Sequence, residues 1–177
     1  MEDLSYLSNA AVAQEQELEL ELETPSLSLE PSVNRLNSRW ILWFHNNTNN
    51  DWTIKGYEKL VEIETIEEFW TVFNTIKDFT NGMFFLMREG CLPIWESYRK
   101  KIHFIKYRAD RRSYLERWTT LAKGCIGETI TNEPENVVGL SISLKFKSLI
   151  IKVWNYYPVM PKLSSDLKLD GENIVFE

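Results

Sequence analysis

Histidine and cysteine are scarce in this chain: among 177 residues there are two of each, His45, His103, Cys91 and Cys125. Two cysteines are too few for the disulfide framework that a secreted domain of this size would use, so they read as free thiols in a reducing compartment. No Cys/His spacing suits zinc, and both histidines read as surface or satisfied side chains. Glycine is limited to seven residues, with no clustered run to wrap a phosphate and no Ser/Cys–His arrangement. The sequence therefore nominates no catalytic residue, no metal and no cofactor. No apolar run reaches the roughly 18 residues needed to span a bilayer. The acidic N-terminus is unlike a signal or transit peptide. The expectation is a soluble intracellular protein without membrane contact, cytoplasmic and with the nucleus as a second compartment.

Bases are nearly missing from one end. Residues 1–35 hold eight acids against Arg35 alone, whereas the rest carries 19 bases and 18 acids. The net charge of −6 thus belongs to the tail and does not argue against a nucleic-acid ligand on the remainder. Leu and Glu alternate from Glu15 to Glu23, and Pro25 and Pro31 bracket a Ser/Leu stretch. This pattern predicts a disordered acidic tail over 1–35 and one globular domain over 36–177.

Aromatic residues are abundant, at 13% with seven Trp. Trp40, Trp43 and Trp118 read as core. Trp52 lies in the polar run Asn46-Asn47-Thr48-Asn49-Asn50-Asp51, and such loops run over the surface. Trp95 directly precedes Glu96 after the turn at Gly90. Two exposed indoles and a carboxylate suit a flat, cationic base with N–H donors, and guanine methylated at N7 fits that description.

The periodicity predicts strands at 39–44, 57–63, 83–88 and 101–107, a hairpin over 137–145 and 149–155, and a last strand at 174–176. Thr65-Ile66-Glu67-Glu68 is a capping box opening a helix to about Lys77. Its stripe is Phe69, Val72, Phe73 and Ile76, with Trp70 on the flank. A second helix is expected over 110–123, with Leu115, Trp118 and Ala122 on one side and Gly124 as its stop. In the hairpin, alternation puts Ser141, Ser143, Lys145 and Lys147 on one face. Ile142, Leu144 and Phe146 fall on the other, core-facing side. Lys152 and Trp154 share a face of the second strand.

Several segments appear in a family order: Arg39-Trp40-Ile41-Leu42-Trp43-Phe44, Trp52 in a polar loop, Glu68-Phe69-Trp70, Pro93-Ile94-Trp95-Glu96, Arg111-Arg112-Ser113, Ile126-Gly127-Glu128 and Trp154. The ordered set, spanning roughly residues 36–155, resembles the cap-binding eukaryotic translation initiation factor 4E family. The resemblance implies an α+β fold, a curved antiparallel β-sheet with helices packed on its convex face. It implies that Trp52 and Trp95 stack on the 7-methylguanosine cap of mRNA, that Glu96 accepts from the base, and that Trp154 touches the N7-methyl. Lys145 stands where the family has an arginine for the phosphates. The family's second phosphate lysine aligns with Ile150, and Lys152 is the substitute, with Lys101 and Lys147 as further phosphate candidates. Ile66, Trp70 and Gly127 match the convex surface for a scaffold initiation factor 4G-like protein or an inhibitory 4E-binding protein. Thr119 and Lys123 depart from that surface. The stretch after Trp154 is short, which implies loss of the third helix. A recruiting initiation factor, a repressor that ignores the scaffold, and a nucleotide- or cap-processing enzyme are the alternatives these residues leave open.

Overall fold

The computed structural model describes residues 33–98, 101–146, 148–156 and, by backbone, 174–176. The expected tail, Lys147 and the stretch 157–173 lie outside these residues. Seven strands form one antiparallel, curved sheet: β1 (Arg35–His45), β2 (Tyr57–Thr65), β3 (Met83–Arg88), β4 (Ile102–Ala109), β5 (Val137–Lys145), β6 (Ser148–Tyr156) and β7 (Ile174–Phe176), in spatial order β2-β1-β3-β5-β6-β4-β7. Two α-helices, α1 (Ile66–Thr75) and α2 (Tyr114–Ile126), complete it.

Strand alternation sorts the apolar residues into two clusters, because successive side chains point to opposite faces. On the helix side, Trp40, Leu42, Leu86, Leu140, Ile142, Ile151, Val153 and Ile105 meet Phe69 and Phe73 of α1 and Trp118, Leu121 and Cys125 of α2. On the other side, Phe85, Met87, Tyr98, Val138 and Trp154 form a smaller cluster, bordered by Trp43, Tyr57 and Phe104. The first cluster is the structural core, and the second is a smaller apolar floor on the opposite face of the sheet.

Helix α1 starts where its capping box predicts: Glu68 N–H donates to Thr65 Oγ1 at 3.1 Å, and Thr65 N–H donates to Glu68 Oε2 at 3.1 Å. Helix α2 differs from expectation at both ends. Asp110 lies ahead of it and organises the preceding turn, accepting from the Arg112 and Ser113 N–H groups at 2.8 Å each. Gly124 is a buried position inside the helix rather than its stop, packed so closely that a β-carbon there would come 3.2 Å from Ile130 Cβ. Gly127 caps the helix instead. Leu115, expected on the packed side, is exposed. Phe146 is also not core: it sits at the hairpin turn, 92% exposed with φ 57°. Alternation ends where the strand ends, so counting by twos past Lys145 put Phe146 on the wrong surface.

Candidate functional site

The loop between β1 and β2 carries Trp52 and is built from short polar side chains that bond their own backbone. Asn46 Oδ1 accepts from Thr48 N–H at 2.9 Å, Asn49 Oδ1 from Asp51 N–H at 2.9 Å, and Asp51 Oδ1 from Thr53 N–H at 2.8 Å. Such Asx turns fold a chain without apolar burial. The Thr53 hydroxyl and N–H hold the Asp51 carboxyl below its ordinary value. Gly56 closes the loop, since a β-carbon there would meet the Asp51 carbonyl at 1.8 Å. The result is a Trp52 that is 49% exposed on an ordered loop.

One face of Trp52 is already occupied. The His45 ring stacks on it with centroids 4.3 Å apart and planes 10° apart. His45, read from sequence as a surface or satisfied side chain, is not at the surface and is satisfied at one ring nitrogen only. It is fully buried, its Nε2–H donates to the Asp51 carbonyl at 3.1 Å, and its Nδ1 has no protein partner. The sequence offered no periodicity or motif that marks this histidine; only the loop folding back reveals it.

The second exposed indole follows the turn after β3. Gly90 adopts φ 79°, a conformation that penalises other residues, and Cys91 N–H donates to the Arg88 carbonyl at 2.9 Å. Pro93 is buried, and the buried Tyr98 hydroxyl donates to the Leu92 carbonyl at 2.8 Å. A short 3-10 turn, Trp95–Tyr98, then presents Trp95, 53% exposed, and the exposed Glu96. Burial pushes the Tyr57 phenol up to about 12, and the nearby Glu96 charge adds to the shift.

Aromatic rings connect the parts. His45 meets Tyr57 edge-on at 4.7 Å, Tyr57 meets Phe85 at 5.4 Å, Phe85 meets Trp154 at 6.0 Å, and Trp154 meets Tyr98 at 6.2 Å. Trp154 is only 4% exposed, and its Nε1–H donates to Ser141 Oγ at 2.9 Å. It belongs to the floor and leaves little of its surface uncovered.

The lysines are spread along the sheet. Lys152 lies on the floor face opposite Ser141 and Lys106, with its ammonium 4.9 Å from the Phe104 ring centre. Lys145 is exposed further along β5, about 13 Å away at the usual strand rise. Lys101 is exposed at the opposite end, where its N–H donates to the Tyr98 carbonyl at 2.8 Å.

On the helix side, Ile66 and Trp70 of α1 are exposed, Trp70 by 40%. The Lys123 ammonium stands 6.0 Å from the Trp70 ring centre, and the Lys123 carbonyl accepts from Gly127 N–H at 2.9 Å. Lys123 of α2 thus stands beside Trp70 of α1, and Gly127, four residues after Lys123, is exposed. Among the described residues, no helix is long and apolar enough to cross a membrane, and no group of three His, Cys, Asp or Glu side chains could hold a metal ion.

The architecture is a helix-backed antiparallel sheet whose other face carries an aromatic floor, with two exposed indoles and an exposed carboxylate in the connections beside it. The chain belongs to the eukaryotic initiation factor 4E family, whose family model matches residues 35–164. It is 27% identical over 138 residues to eukaryotic translation initiation factor 4E-1A of Danio rerio, covering 72% of this chain and 64% of that protein. It is likewise 27% identical over 128 residues to human eukaryotic translation initiation factor 4E, covering 67% and 59%. The chain thus spans about three fifths of the length of these curated relatives. Among solved structures it is similar to Caenorhabditis elegans eIF4E-3 in complex with the 4E-binding protein Mextli and a cap analogue, with a TM-score of 0.64, 20% identity and coverage of 71% of this chain and 75% of that one. Ascaris suum eIF4E-3 with the m7G cap is similar at a TM-score of 0.62 and 20% identity, covering 70% and 74%. At these identities the structural likeness carries the fold.

Proposed function

We propose that this protein binds the 7-methylguanosine cap of mRNA and recruits the message for translation initiation in the cytoplasm, by recognition rather than by turnover. The observation that carries the reading is Trp52, stacked on His45 by one face, half exposed, and joined through His45 and Tyr57 to a ring-connected floor. Family membership and the cap-bound relatives support it.

In this reading the methylated base slides between Trp52 and Trp95. N7-methylation gives guanine a delocalised positive charge, so each indole adds cation–π attraction to stacking, together about 1–3 kcal/mol per ring. Glu96 accepts from the base N1–H and exocyclic amine, a charge-assisted pairing of about 1.5–3 kcal/mol. Trp154 offers its edge to the methyl group from the floor. Lys152 and Lys145 draw the phosphates, with Lys101 and Lys147 as further candidates, and their share weakens with salt. Ile66, Trp70 and Gly127 form the surface for a scaffold initiation factor 4G-like protein or a 4E-binding protein.

Titration of Trp fluorescence tests the pocket. Strong quenching by 7-methyl-GTP and little by GTP is expected. Trp95→Ala and Glu96→Ala should each weaken 7-methyl-GTP binding about tenfold or more. Equal responses of the wild-type protein to the two nucleotides would rule the reading out.

A further inference from the structure

The turn between β5 and β6 breaks two local rules at one residue. Lys145 pairs with Ser148, so the chain reverses within the two positions between them, the first of which is Phe146. The favoured turns of such hairpins put a positive φ at their first central residue, a place suited to Asn, Asp or Gly. Phe146 occupies it at φ 57°. Its ring gains nothing from the core in return, being 92% exposed, more than any other large apolar side chain among the described residues. A residue unsuited both to its backbone and to its surface marks a functional position more often than a structural one.

Its surroundings say what would cover it. The exposed Lys145 precedes it and Lys147 follows it in sequence. Along the hairpin, Trp154 sits beside Gly139, Lys152 beside Ser141, and Lys145 beside Ser148. A polyanion leaving the floor toward the turn therefore meets Lys152, then Lys145, and then an exposed aromatic ring. Aromatic faces interleaved with lysines are how proteins hold single-stranded nucleic acid: the ring stacks on a base without reading its edge, and the cations take the backbone. A lipid surface or an apolar protein partner would call for a wider apolar patch than one ring beside a lysine.

We propose that Phe146 is a stacking platform for the base of the first nucleotide after the cap, with Lys145 on the adjoining phosphate. This rests on the cap reading above, and it makes the turn a site for the RNA chain rather than for the cap itself.

The test compares 7-methyl-GTP with a short capped oligoribonucleotide, using the full chain and Phe146→Asn. Asn suits the turn, so the thermal midpoint should hold or rise. Affinity for 7-methyl-GTP should stay unchanged, while affinity for the capped oligoribonucleotide should fall about five- to tenfold. Phe146→Trp should retain the wild-type preference. If the wild-type protein prefers 7-methyl-GTP to GTP yet Phe146→Asn loses nothing on the capped RNA, or loses equally on both ligands, the stacking role is overturned and the cap reading stands. If the wild-type protein shows no preference for the methylated nucleotide, both fall. Phe146-dependent sedimentation with anionic vesicles, without an effect on RNA, would also overturn it.

Discussion

Behind Trp52 stands His45, a ring that supports the proposed wall without touching the proposed ligand. It covers one indole face and ties the loop through the Asp51 carbonyl, one residue before Trp52. A wall held this way loses less freedom when a base arrives, which favours binding. His45→Ala should remove both the stack and the tether and weaken 7-methyl-GTP binding about three- to tenfold. His45→Phe keeps a ring at the same place and should recover most of that loss. Near-ultraviolet circular dichroism of the unliganded variants would follow the Trp52 environment. If both variants bind as the wild type does, Trp52 is oriented by its Asx-turn loop alone. At this scale the sequence marked Trp52, Trp95 and Glu96, because an indole in a polar loop or beside an acid is anomalous locally. It could not mark His45, whose role arises only when residues six and seven positions later fold back over it.

Helix α1 shows what a single element makes legible. Its capping box, its stripe of Phe69 and Phe73 and its exposed flank at Trp70 all follow from spacing along one helix. The exposed Ile66 and Trp70 are the apolar part of the proposed partner surface, and Lys123 over the Trp70 ring adds a cation to it. Trp70→Ala should abolish retention of a scaffold-factor peptide in a pulldown while leaving 7-methyl-GTP affinity unchanged, since Trp70 lies on the helix side and not on the floor. Retention of neither protein would mean that the recruiting role is lost in this chain. Helix α2 shows the opposite case. Gly124 reads as a stop by residue type, yet the helix runs on because Ile130 packs against that bare backbone and the Thr129 and Ile130 N–H groups donate to its carbonyl. The packing partner lies beyond the helix, where a periodicity argument does not look.

The whole sheet is tied at one end by Arg88. Its guanidinium donates to Glu128 at 2.6 Å, to the Val137 carbonyl at 3.0 Å, to the Pro134 carbonyl at 2.8 Å and to the Ser38 hydroxyl, and it lies 4.9 Å from the Trp40 ring centre. One side chain of β3 thereby joins β1, the start of β5 and the turn after α2. The Ser38 hydroxyl, followed by Arg88, holds the Glu128 carboxyl below its ordinary value of 4.5. A folded pKa lower than the unfolded one gives stability that is fully present above the unfolded value and fades as pH falls through the folded one. Denaturant midpoints should therefore drop on acidification below about pH 5. Glu128→Gln should flatten that limb and cost about 1–2 kcal/mol at neutral pH, solvent screening included. An unchanged acid limb in the variant would show that other carboxylates govern it.

The strands, the start of α1, the two-sided sheet and the anomalous indoles were determined by the sequence itself, because alternation, capping and residue type act over a few neighbouring positions. The tertiary structure alone decided that His45 backs Trp52, that Trp154 lies in the floor, that Gly124 sits inside a helix and that Phe146 stands out in solvent. Each of those outcomes depends on what a distant segment does to a residue's surroundings, or on where a strand gives way to a turn, and local patterns carry neither.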